Sequence, residues 1–239
     1  MIKKTAVLIG TVCSLAASAG ANTITFFTPS GATDTVGDPV DASATFITSG
    51  NTVTIVLTDL LNNPKDVGQL VSDISFSLTS GQTVATINPL PGTTTWRTVN
   101  GGGTFSDSTT PPPAPNNWAV DTSFLGGIHI GALLPGAVGP AGLIIGGPGA
   151  GSLYSNANGS IAGNGPHNPF LLGPVTFTLN VPGVNVDSSI NSMSFSFGTT
   201  SGDDIPGLPP RGGVPDCGTT VMLLGAALSG LALIRRKLS

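Results

Sequence analysis

The chain has 239 residues, of which 34 are glycine and 20 proline, and only 8% are Asp, Glu, Lys or Arg, against roughly a quarter in ordinary soluble domains. The glycine and proline content makes helical bundles and coiled coils poor readings, and with all twelve acidic residues aspartate, long charged surface helices are excluded. The 52 serines and threonines, set among Val, Ile and Phe, favour short strands joined by Gly, Pro, Asn and Asp turns.

At the N-terminus Lys3 and Lys4 precede an apolar run over 6–15 and a small-residue stretch over 16–21. These are the three parts of a secretory signal peptide, and Ala19-x-Ala21 places the cut between Ala21 and Asn22. The run is too short for a membrane span, which needs about 20 apolar residues. Residues 1–21 are therefore expected to be a signal helix that routes the chain through the Sec machinery and signal peptidase.

Residues 22–198 are expected to form the folded ectodomain. Four segments alternate with period two: 52–59, 73–79, 174–181 and 189–197. Val53, Ile55 and Leu57 fall on one face of the first, and Ile74, Phe76 and Leu78 on one face of the second. The third presents Val175, Phe177, Leu179 and Val181, and the fourth Met193, Phe195 and Phe197. Their other faces are mostly Ser and Thr, which suits antiparallel sheets solvated on one side. The fold class expected is all-β: an antiparallel, jelly-roll-like β-sandwich. Weaker strands are expected at 23–28, 44–48, 82–87, 94–99, 118–121, 124–130 and 141–145. One short helix is expected over 64–72, with Asn63 as its cap and Pro64 at its first position, closing one end of the sandwich.

The glycine-rich stretch from Gly146 to Gly151 lacks the Lys-Ser/Thr of a phosphate loop and reads as a flexible loop. Residues 199–213, with Gly202, Pro206, Gly207, Pro209 and Pro210, read as a Gly/Pro linker.

Residues 214–239 carry a second address. Val214-Pro215-Asp216-Cys217-Gly218 leads into an apolar run over 221–234 and the cations Arg235, Arg236 and Lys237. Counted from Gly218 the segment is at the lower limit for a transmembrane helix, and its cations would stay on the cytoplasmic side. This tripartite tail resembles the PEP-CTERM class of bacterial sorting signals in its Val-Pro-Asp-x-Gly variant, with Cys217 where Ser or Gly is more usual. The resemblance implies that Val214, Pro215, Asp216 and Gly218 form the motif read by an exosortase, a membrane cysteine protease. It implies a chain held briefly in the inner membrane and then passed to the cell surface or exterior, in bacteria that make exopolysaccharide. The stretches 154–170 and 177–184 also resemble an ectodomain type found among such sorted proteins, one with no assigned reaction.

Between residues 22 and 213 three cations, Lys65, Arg97 and Arg211, face eleven aspartates, a net charge of −8. Such a surface repels nucleic acid. Cys13 and Cys217 both lie in the terminal addresses, so no disulfide or thiolate site is expected in the ectodomain. His129 lies among apolar residues like a strand position and His167 in a Pro/Asn turn, and structural roles are expected for both. No Gly-x-Ser-x-Gly elbow occurs. Asp203 and Asp204, and the group Asp34, Asp38 and Asp41, could offer oxygens to Ca²⁺ but match no calcium loop, so solvated turns are expected. No catalytic residue, metal or cofactor is assigned.

The leading reading is a non-enzymatic exported surface or matrix protein of a biofilm-forming cell. Two others stand beside it. A sandwich presenting Trp96, Trp118 and Tyr154 on its loops would be a carbohydrate-binding module for exopolysaccharide; a hydrolase would use His129 or His167 with an aspartate.

Overall fold

The structure, a computed structural model, describes residues 21–111, 118–135, 141–199 and 204–210. Strands dominate. In chain order they are β1 (Asn22–Phe27), β2 (Ala42–Ser49), β3 (Thr52–Asp59), β4 (Val71–Leu78), β5 (Thr86–Ile87), β6 (Trp96–Val99) and β7 (Phe105–Ser108). There are in addition β8 (Ala119–Val120), β9 (Ile128–Gly131), β10 (Ile144–Ile145), β11 (Phe170–Leu172), β12 (Val175–Asn180), β13 (Ile190–Phe197) and β14 (Ile205–Pro206). The expected alternating segments are β3, β4, β12 and β13 within one or two residues at each end.

One sheet has the order β1-β2-β3-β12-β5, antiparallel throughout. The second has nine strands, in the order β14-β13-β4-β10-β11-β6-β7 with β9 also on β4 and β8 on β9. One pair in it, β10 with β11, is parallel. The eight-stranded double Greek key of a jelly roll is thus exceeded in strand number, and the antiparallel expectation holds except at that pair. Residues 144–145 and 171–172 lie far enough apart in sequence for a parallel return.

The inward faces meet as the period-two pattern requires. Phe46 of β2 packs on Phe76 of β4 with ring centroids 5.0 Å apart, crossing from one sheet to the other, and Phe177 of β12 packs at 4.6 Å on Trp118, the residue before β8. Val53, Ile55, Leu57, Ile74 and Phe195 are wholly buried around them. A core of this kind is the all-β sandwich the sequence predicts.

The expected helix over 64–72 is a single 3₁₀ turn, Val67–Gln69, and its cap is Asp66 rather than Asn63. The Asp66 carboxylate accepts from Gly68 N and the Gln69 side chain returns to the Asp66 amide, a closed capping box. Asn63 adopts a left-handed φ of 56° and bonds Asn156 and Ser155 instead. The turn stops there because Leu70 is already extended and Val71 enters β4, whose apolar face needs the sheet. Val67, Leu70 and Val71 are nevertheless buried, as expected of the segment that closes this end.

The glycines of 146–149 are not a flexible loop. Gly146 lies so close to the 59–61 backbone that a Cβ on it would sit 2.0 Å from the Leu61 carbonyl oxygen. Its own carbonyl accepts the Tyr154 hydroxyl at 2.7 Å. Tyr154 also receives Arg97 Nη1, while Arg97 makes a two-pronged pair with Asp107 at 2.8 and 2.7 Å and lies 3.8 Å over the Phe105 ring. This knot, buried at Arg97 and Tyr154 and open to solvent at Asp107, ties the β6–β7 hairpin to the glycine segment.

The expected linker is ordered in its middle. Ile205 and Pro206 add an edge strand to β13, and Leu208 exchanges both backbone bonds with Phe27 at the end of β1. Residues 205–208 therefore bridge the β1 edge of one sheet to the β13 edge of the other. The domain runs past residue 198, which moves its boundary at least as far as Leu208. A chain ended after Pro210 should melt with the full protein, whereas one ended after Gly198 should lose several degrees of Tm, because two backbone bridges and the packing of Gly207 on Met193 are removed; thermal denaturation of the two truncations checks this.

Candidate functional site

His129 lies on β9, paired across from Ser75 of β4. Two residues on, Gly131 faces Asp73, and a Cβ at Gly131 would stand 2.3 Å from the Asp73 Cβ. Only glycine leaves room for the aspartate, whose carboxylate turns diagonally to meet the imidazole, 3.0 Å from Nε2. The β8–β9 turn brings Asp121 to the other side, 3.6 Å from Nδ1. Ser72 donates to Asp73, Ser123 donates to Asp121 through both amide and hydroxyl, and the Phe124 ring meets the imidazole edge-on at 5.3 Å.

The result is an imidazole clamped between two carboxylates. The hydrogen bond to Asp73 raises the His129 pKa above its ordinary value, against partial burial and with the charges of Asp73 and Asp121 adding to the rise. The Ser123 hydroxyl and amide hold Asp121 below the usual carboxylate range. An imidazole with a carboxylate beside each nitrogen is a cross-brace between β4, β9 and the β8–β9 turn. It lacks the nucleophile-facing nitrogen that a general base requires.

His167 lies in its expected turn, with Nδ1 donating to the Ser160 carbonyl at 2.6 Å. The sequence could locate neither pairing, because Asp73 and Asp121 reach His129 only through strand register. The aromatic trio is a correction: Trp96, Trp118 and Tyr154 are 5%, 1% and 1% exposed, so none is presented for sugar stacking. Two of them find interior partners for their polar groups, the Trp118 indole on the Gly142 carbonyl and the Tyr154 hydroxyl on that of Gly146, which lets such large residues enter a core.

Asp41 leaves the expected acidic group to accept from Thr28, and Asp66 takes its place: Asp34, Asp38 and Asp66 bring one carboxylate oxygen each to within 4.8 Å of one another. Asp204 accepts from Ser196, and Asp203 lies outside the described residues. Asp59, at the end of β3, is the other unusual carboxylate. Its Oδ1 accepts from Leu61 N, its Oδ2 has no partner among the described residues, and burial drives its pKa well above the ordinary 3.8.

Asn22, the residue after the expected signal-peptide cut, opens β1. The rest of the signal peptide, the motif Val214, Pro215, Asp216 and Gly218, and the cations Arg235, Arg236 and Lys237 lie outside the described residues, as does the expected transmembrane helix. No helix among the described residues is long and apolar enough to cross a membrane.

Residues 213–238 match the VPDSG-CTERM motif, a sorting signal of the PEP-CTERM type processed by exosortases. No curated protein and no solved structure matches the chain.

The two perturbed groups should show in the pH dependence of stability. With its folded pKa raised, His129 stabilises the fold below its unfolded pKa of about 6.5, and that stability is lost as the pH rises through the higher folded value. The Tm deficit of a His129→Gln variant should therefore be largest at about pH 6 and shrink toward about pH 9, as read by thermal melts across that range. Asp59, also raised, costs stability increasingly from the ordinary carboxyl value up to its folded one. Asp59→Asn should leave Tm unchanged at about pH 3.5 and raise it at neutral pH in the same measurement.

Proposed function

We propose that the protein is a non-enzymatic surface or matrix module, delivered outward and freed by an exosortase-type protease. The match over residues 213–238 carries this reading: a signal of that kind marks an exported protein, anchored transiently in the membrane and then placed on the surface or outside. In it Val214, Pro215, Asp216 and Gly218 serve as the recognised motif, residues 221–234 as the membrane stop, and Arg235, Arg236 and Lys237 as the cytoplasmic retention charge. Residues 1–21 are the matching entry signal, read by the Sec machinery and removed by signal peptidase between Ala21 and Asn22.

The geometry agrees with such a division of labour. Residues 205–208 close the ectodomain onto both sheets a few positions before the motif, so a cut in the tail leaves every described contact intact. Four side chains able to do chemistry are held in structural contacts: His129 by two carboxylates, His167 by a backbone carbonyl, and Arg97 and Tyr154 by each other. No hydroxyl bonds either imidazole ring among the described residues, so the hydrolase reading gains no support. Ten aspartates against Lys65 and Arg97 among the described residues keep the released module soluble and away from nucleic acid. Exopolysaccharide is the surrounding we envisage for it, without a dedicated sugar platform.

Deleting residues 214–239 should send the ectodomain straight to the medium with no membrane-bound intermediate in fractionated cells. In cells lacking the exosortase, the full chain should accumulate in the inner membrane. A deletion variant that fractionates like the intact protein would refute the assignment.

A further inference from the structure

We propose that Asp34, Asp38 and Asp66 form a Ca²⁺ site at the end of the sandwich where the 3₁₀ turn closes it. The site is assembled by two loops. The first is the β1–β2 connection, pinched by the Thr33–Pro39 bridge, in which Asp34 Oδ1 accepts from the amides of Val36 and Asp38. The second is the capped turn that begins at Asp66. One oxygen from each of the three carboxylates lies within 4.8 Å of the others, the spacing allowed to oxygens that share a cation about 2.4 Å from each.

Proximity of acids is common on surfaces; what distinguishes this group is Asp34. It is only 7% exposed, and its Oδ2 is shut off from solvent with no hydrogen-bond partner among the described residues. A buried carboxylate oxygen left in that state is costly unless something positive meets it. The oxygen faces the α-carbon of Gly68, on the side where Asp66 Oδ1 also lies. A Cβ on Gly68 would stand 3.0 Å from Asp34 Oδ2 and 3.0 Å from Asp66 Oδ1, so both oxygens converge on the position that a side chain there would take. Asp34, Asp66 and Gly68 line a cleft of about 500 Å³ that also reaches Asn158, Ser160 and Gly198.

The nearby cation does not fill that role. Lys65 Nζ meets Asp38 Oδ2 at 2.8 Å from the outside, on a side chain that is 57% exposed. Its ammonium is held charged by Asp38 first, with Asp66 and Asp34 adding to the field. One exposed ammonium against three converging carboxylates leaves the cluster negative, and its long stem lets it swing aside.

Oxygen-only donors select a hard cation, and three carboxylates on two loops, completed by water, suit the loose six- to eight-fold shell of Ca²⁺ better than the strict octahedron of Mg²⁺. With most of the shell supplied by water, the affinity expected is that of extracellular modules, on the order of 10⁻⁴–10⁻³ M. Bound there, the ion would lock the β1–β2 loop to the 3₁₀ turn. Gly198, where the chain leaves β13, donates to the Leu70 carbonyl beside it. The inference concerns the ectodomain alone and stands whether or not the tail is cut by an exosortase.

The test is thermal denaturation of the full-length chain in non-ionic micelles, with EDTA, CaCl2 or MgCl2, together with equilibrium dialysis against ⁴⁵Ca²⁺. About 10 mM CaCl2 should raise Tm by roughly 3–6 °C, equimolar MgCl2 by less than half as much, and dialysis should return about one Ca²⁺ per chain. Asp38→Asn, at a partly exposed side chain, should lose the Ca²⁺ shift. Gly68→Ala should lose it too, since it changes no charge and sets a methyl 3.0 Å from both oxygens, which the two carboxylates must yield to; the backbone there is not left-handed. No shift in the native chain, an equal shift with Mg²⁺, or a shift retained in either folded variant would overturn the site. Should a variant fail to fold, native dialysis decides alone: no bound Ca²⁺ at millimolar concentration overturns it.

Discussion

Everything in this fold depends on the burial of two alternating faces against each other. The ectodomain has no cysteine, no long helix among its described residues and few charges, so nothing but the apolar stripe of β2, β3 and β12 packed on that of β4 and β13 can supply its core. At about 25 cal/mol per Å² of apolar surface withdrawn from water, the ring contacts of Phe46 with Phe76 and Trp118 with Phe177 mark where that stabilisation is densest. The rest of the chain is arranged to let those faces meet: serine and threonine outside, small residues where backbones cross, and short edges.

That dependence explains what could be read from the sequence. Val53, Ile55 and Leu57, or Phe177 and Leu179, repeat at period two because each strand has one wet and one dry face, and so β3, β4, β12 and β13 were legible. β7, β11 and β14 were not. Residues 105–108, Phe-Ser-Asp-Ser, carry no apolar alternation and become a strand because Arg97 draws Asp107 across the hairpin. Residues 205–206 pair with β13 because Leu208 is held on Phe27, a contact between distant parts of the chain that no local pattern encodes. The helix expected at 64–72 shows the same rule from the other side: capping chemistry was present, but Val71 was worth more in the sheet than in another helical turn.

Glycine was the least legible residue. Gly146 and Gly131 look in sequence like slack, yet each is the only residue that fits where one backbone or side chain presses on another, Gly146 on the Leu61 carbonyl and Gly131 on Asp73. The loose-looking stretch between residues 101 and 173 consequently contains close crossings that wrap the core, and its large aromatics Trp118 and Tyr154 point inward with it. Composition could suggest turns; only the register of β4 with β9 reveals which glycine makes room for which partner.

The scarcity of charge then decides where function resides. The polar and titratable groups drawn into the fold act as fasteners: Arg97 joins a hairpin to a glycine segment, His129 braces β9 between Asp73 and Asp121, and Gln69 closes the cap on Asp66. In each the buried polar atoms find partners, as the low dielectric of an interior demands. Asp34 and Asp59 break that rule through one oxygen each, and they resolve it differently. Asp59 is enclosed beside the backbone of Leu61 and Gly146, and burial raises its pKa. Asp34 lines a cleft together with Asp66, with an Asp38 oxygen within reach of both, and there the proposed site places its cation. What separates the two is what lies beside the oxygen: enclosing backbone at Asp59, and at Asp34 two further carboxylates at the edge of a cleft.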